Sequence, residues 1–241
     1  SLENGHMFFD VLLHFGTLIS ICVVYWQDIV KMVREFGVIV AGGAAGRKTG
    51  TANLSAARLL FMIVIGTLPL FLVLPVNDYV EQLYYKTVFI GVALILTGCM
   101  LFAADKMVPG KRNEKTMRIR DALIIGLCQA VAVIPGLSRS GTTISAGLAT
   151  GLDRQYAVKY SFLLSLPAVL GANILSLVKA IKAGIDVSLI PAYLIGMVVA
   201  MVSGIVAIGL VKRIAGKGKF GYFAYYCWVV GLVTIILSLI F

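Results

Sequence analysis

Pro135-Gly136-Leu137-Ser138-Arg139-Ser140-Gly141-Thr142-Thr143 sets one arginine, four hydroxyls and two glycines between long apolar runs. An arginine at membrane depth costs about 2.5 to 3.5 kcal/mol on insertion scales. Irregular polar backbone there is tolerated only where protein buries it or where it lines a wet cavity. The stretch therefore reads as a binding site. Gly136 and Gly141 allow tight turning, N–H groups and the hydroxyls of Ser138, Ser140, Thr142 and Thr143 can donate, and Arg139 supplies a planar positive charge. Together these suit an oxyanion such as phosphate. The plainer use of such a stretch is a polar turn at the membrane surface, with Arg139 reaching headgroups and Ser140 capping the next helix.

Working outward, the preceding apolar run Ala122 to Ile134 is 13 residues long. At 1.5 Å per residue it covers only about 20 Å of a roughly 30 Å hydrocarbon core. The following segment, Ser140 to Thr150, is shorter still and ends at Gly151, with Asp153 placed to cap the next helix. Two half-length helices around a polar tip describe a re-entrant hairpin over residues 121–153.

The whole chain supports that placement. Its 241 residues are 60% hydrophobic and 13% charged, with a mean hydropathy of +0.97. These values predict an all-α integral membrane protein. The net charge of +10 lies in loops between apolar runs, so it sets topology and does not imply nucleic acid. Cys22, Cys99, Cys128 and Cys227 sit in separate apolar runs with no C-x-x-C pair, as small core residues do. No His/Cys metal cluster is present in the sequence, and the opening Ser-Leu-Glu-Asn-Gly-His-Met, with no basic stretch, does not read as a signal peptide.

Six spans are predicted, at about Met7–Trp26, Leu54–Pro75, Thr87–Ala104, Gln155–Leu177, Leu189–Val211 and Tyr222–Phe241. Gln27 to Glu35 reads as an amphipathic surface stretch, followed by a glycine-rich linker, Gly37 to Asn53, with Arg47 and Lys48. The segment Lys106 to Arg120 is the most basic, and Lys212 to Lys219 is basic as well. For both basic loops to lie inside, residues 121–153 must begin and end on one face of the membrane. The charges thus require the re-entrant excursion independently of the length argument.

Asp10 and His14, four apart on the first span, are either a functional pair, as a proton relay or a support for other groups, or a pair satisfied between helices. Gln129, Ser165 and Asn173 read as interhelical hydrogen-bond partners. Pro69 and Pro167 are expected to kink their helices. FDVLLHFGTLISI (9–21) and YSFLLSLPAVLGA (160–172) are weakly alike, and each opens a group of three spans. This suggests two inverted repeats, 1–120 and 121–241, with a first hairpin of about 35 to 40 residues absent before residue 1.

PGLSRSGTTISAG (135–147), YSFLLSLPAVLGA and FFDVLLHFGTLISICVVYW (8–26) resemble the bacitracin-resistance-type undecaprenyl-diphosphate phosphatases over essentially the whole chain. The resemblance implies a multi-pass enzyme of the bacterial inner membrane that removes the terminal phosphate of undecaprenyl diphosphate. Its product is the lipid carrier for peptidoglycan and other envelope polymers, and raised levels of such enzymes give bacitracin resistance. It also implies catalytic roles for Arg139 and Ser138, and substrate binding by Gly136, Ser140, Gly141, Thr142 and Thr143.

A divalent cation, Mg or Ca, is implied too. The family's acidic pair Glu-x-x-x-Glu and its Pro-Val-Ser-Ser-x-Gly-His stretch have no match here. Glu3 and His6 do not fit them. The chain as given is therefore expected to have at most trace activity alone. A homodimer is compatible with such a chain. A transporter or flippase of a polyprenyl phosphate lipid is the alternative, since the same architecture serves transport.

Overall fold

The computed structural model describes residues 2–46, 54–108, 110–183 and 187–240. Among them the regular structure is helical: α1 (Leu2–Val24), α2 (Trp26–Gly46), α3 (Leu54–Thr67), a 3-10 segment (Leu68–Val76), α4 (Asn77–Leu83), α5 (Thr87–Lys106), α6 (Ile119–Val131), α7 (Arg139–Ala149), α8 (Arg154–Ala183), a 3-10 turn (Val187–Leu189), α9 (Ile190–Lys217) and α10 (Gly221–Ile240). Among the described residues five helical segments are long and apolar enough to cross a membrane, namely Ser55–Val76, Thr87–Lys106, Arg154–Lys182, Ile190–Lys217 and Gly221–Ile240. Phe8–Val24 and Trp26–Val38, bent by 85° at their junction, make a sixth if taken as one broken span. The chain is an all-α integral membrane protein.

One expectation needs correction. The helix after Trp26 does not stop at Glu35 but runs on to Gly46, because the apolar run from Val38 to Ala45 extends it through Gly37. Pro69 lies where α3 gives way to 3-10 geometry, and Pro167 lies inside α8. Arg47, Lys48 and the side chains of Glu3 and His6 fall outside what is described.

Residues divide into two compact units, each discontinuous in sequence. In the unit of 1–57 and 162–211, α1 meets α9 through small residues. A Cβ on Gly16 would come within 2.4 Å of the Met197 carbonyl, and one on Gly196 within 2.5 Å of the Phe9 ring. Such close approach is how membrane helices gain packing without a hydrophobic drive. The rings of Phe9 and Tyr193 stack over this contact at 5.4 Å. Asp10 and His14 are both exposed, and the imidazole Nδ1 bonds the Asp10 main-chain carbonyl at 2.8 Å. The two side chains therefore do not pair. Ser165 donates to Phe162 within its own helix, and the Asn173 amide nitrogen is buried without a partner, so neither makes the expected interhelical bond.

The unit of 58–161 and 212–241 holds the motif. Here α5 and α10 pack antiparallel, again on glycines: a Cβ on Gly98 would lie 2.5 Å from the Trp228 ring, and one on Gly91 2.9 Å from the Gly231 carbonyl. The two half-length helices, α6 and α7, pack against each other, and α7 also packs on α5.

Candidate functional site: a clipped hairpin with an unpaired arginine at its tip

The hairpin starts and ends at one place. The guanidinium of Arg112, in the loop before α6, bonds both carboxylate oxygens of Asp121 at 2.9 and 3.0 Å and the Thr150 carbonyl at 2.8 Å. Asp121 belongs to the first turn of α6 and Thr150 caps the end of α7. Main-chain bonds from Arg112 to Gly151 and from Asp153 to Arg112 complete the clip. Asp121 also accepts from the Arg118 N–H at 2.9 Å, which caps α6. The expected cap at Asp153 is present as well: its carboxylate accepts from the N–H groups of Gln155 and Tyr156. Each of its two helices is too short to cross a hydrocarbon core by itself, and the clip brings the start and end of the segment together.

At the tip, Gly136 has φ +89°, a conformation that costs other residues strain. It also lies against α5, where a Cβ would sit 2.6 Å from the Ile90 carbonyl. Thr97 of α5, fully buried, holds the turn: its hydroxyl accepts from the Ser138 N–H at 3.1 Å and donates to the Gly136 carbonyl at 3.4 Å. Ser138 is the N-cap of α7, its Oγ accepting from the Gly141 N–H at 3.2 Å. That corrects two expectations. The cap is Ser138, not Ser140, and Gly141 is a buried helical residue without positive φ. Its smallness lets the cap close, since a Cβ there would lie 3.1 Å from the Ser138 hydroxyl.

The remaining motif residues divide by exposure. Thr143 is buried, donates to the Arg139 carbonyl at 2.9 Å and contacts the Ser161 hydroxyl. Thr142 is buried and its hydroxyl has no partner. Ser140 is exposed and Arg139 partly buried. Of the three partly buried arginines among the described residues, Arg112 and Arg154 are engaged by carboxylates and carbonyls. The Arg139 guanidinium has no ion pair or hydrogen bond within the described residues. The first two N–H groups of α7, those of Arg139 and Ser140, are likewise unspent there. A helix N-terminus with free N–H groups and an adjacent guanidinium presents donors and positive charge of the kind that suits an anion.

The family model of the bacitracin resistance protein BacA matches residues 1–233. The chain belongs to the BacA family. Within it, the chain is 34% identical to an undecaprenyl-diphosphatase of Methanosphaera stadtmanae, over 99% of this chain and 87% of that protein. It is 38% identical to one of Desulforapulum autotrophicum, over 95% and 83%, and 35% identical to one of Alkaliphilus metalliredigens, over 99% and 86%. The expected membership is thereby established. The BacA resemblance brought a divalent cation with it. Among the described residues no three His, Cys, Asp or Glu side chains gather to hold a metal, so these donors do not fit one and no step is derived through it.

Sequence reasoning missed Thr97, Arg112 and Ser161. A lone threonine in a span, one charge in a basic loop and one serine in a helix carry no signal until the fold brings them to the hairpin.

Proposed function

We infer that this chain is an undecaprenyl-diphosphate phosphatase, hydrolysing the lipid diphosphate to undecaprenyl phosphate and inorganic phosphate. The observation that carries this is the unpaired Arg139 guanidinium beside the unspent N–H groups of α7. Phosphoanhydride hydrolysis is mostly a matter of positioning the phosphates and stabilising charge on them. Arg139 offers a planar fork that matches phosphate oxygens. The N–H groups of Arg139 and Ser140 add oriented donors. Ser138, whose oxygen already accepts from Gly141, keeps its own proton to donate.

In this reading the enzyme sits in the inner membrane of a bacterium and serves cell-wall synthesis, with a homodimer as its assembly. A relative from the archaeal Methanosphaera shows that the family itself is not confined to bacteria. The substrate-binding roles of Gly136, Ser140, Gly141, Thr142 and Thr143 belong to the same proposal, as does a divalent cation held by groups other than the described residues.

The test is inorganic phosphate release from undecaprenyl diphosphate in detergent by the protein expressed from its complete gene. Stoichiometric release supports the phosphatase. Saturable binding without release identifies a lipid carrier instead.

A further inference from the structure

Gln129 is fully buried on α6, and neither its amide nitrogen nor its amide oxygen has a partner. A buried polar group left without a hydrogen bond is costly, and native interiors leave few such groups. Within the hairpin the other buried side-chain atom without a partner, among the described residues, is the Thr142 hydroxyl. The two are not scattered. Gln129 lies in the last turn of α6 and Thr142 in the first turn of α7, so along the chain they bracket the seven-residue connection 132–138. The same connection presents Ser138 and leads into Arg139. Both residues are more deeply buried than Arg139 or Ser140.

If the hairpin tip is the phosphate site proposed above, its donors form two tiers. Arg139 and the N–H groups of Arg139 and Ser140 form an outer, partly charged tier suited to one phosphate. We propose that Gln129, with Thr142, forms an inner, neutral tier that hydrogen-bonds the second phosphate of a lipid diphosphate. Gln129 then sets the preference for a diphosphate over a monophosphate. The carboxamide suits this task because it donates without adding a charge that would have to be buried when the site is empty. Unspent buried donors discriminate strongly, since a ligand lacking the matching group leaves them unpaired.

The experiment compares the affinity of polyprenyl diphosphate and polyprenyl monophosphate of equal chain length, in detergent, for the protein expressed from its complete gene and for Gln129→Met and Arg139→Ala. Methionine keeps the volume of Gln129 and removes both polar groups. Gln129→Met is expected to weaken diphosphate binding about tenfold, to change monophosphate binding less than twofold, and to leave the melting temperature equal or higher. Unchanged diphosphate binding, or equal weakening of both ligands, overturns the proposal, as does a lowered melting temperature with the preference intact. Arg139→Ala separates the levels: if it leaves both affinities unchanged, the phosphate site itself has been misplaced, whatever Gln129 does.

Discussion

Arg112 holds Asp121 with two hydrogen bonds, at 2.9 and 3.0 Å, across the mouth of the hairpin. The Asp121 side chain is 1% exposed and that of Arg112 27%, so the carboxylate depends on this partner and on the Arg118 N–H. Removing one member of a buried pair costs about 3–5 kcal/mol in dry surroundings. The partial exposure of Arg112 lowers the expectation to about 2 kcal/mol for Arg112→Ala. Removing both partners should cost less than the two single losses added together. Thermal unfolding of the four proteins measures this. Hydrogen exchange across 139–149 should rise in Arg112→Ala, and unchanged exchange there would mean the clip does not hold the hairpin.

Gly136 meets two constraints at once, a φ of +89° and the Ile90 carbonyl. Gly136→Ala is expected to lose about 1–3 kcal/mol and most of the phosphate release, because the turn that presents Ser138 must shift. Thr97→Val is the gentler probe. It keeps shape and removes the hydroxyl that serves Ser138 and Gly136, at a cost of about 1 kcal/mol, with turnover reduced more than substrate affinity. Wild-type turnover in Thr97→Val would separate the turn from function.

Both ends of the hairpin should face the same compartment. In a background without the four native cysteines, Lys115→Cys and Gln155→Cys, at exposed positions before α6 and early in α8, are expected to react with a membrane-impermeant maleimide from the cytoplasmic side. That side follows from the basic loops. Labelling of the two from opposite faces would turn the hairpin into a crossing.

The hairpin was legible in the sequence because two signals converge on it. Ala122 to Ile134 is too short to cross, and the flanking basic loops demand a return. The clip that closes it was not legible. Arg112 is one of several charges in a basic loop, and only the fold shows that Asp121 and Thr150 meet it. The site was legible as a set of residues but not in its division of labour. Gly141 reads as a second hinge until Ser138 is seen to cap α7, which puts Gly141 inside the helix. The extent of α2 was missed because Gly37 suggests a break, while the apolar residues after it continue the helix.

Arg139 carries the central claim, and phosphate release from undecaprenyl diphosphate by Arg139→Ala and Arg139→Lys tests it most directly. Alanine is expected to lower turnover at least a hundredfold, about 2.7 kcal/mol of transition-state stabilisation, while unfolding stays within about 1 kcal/mol of wild type, since no side chain among the described residues loses a partner. Lysine should restore part of the rate, as a point charge without the planar fork. Wild-type turnover in Arg139→Ala, with the protein folded, would contradict the account.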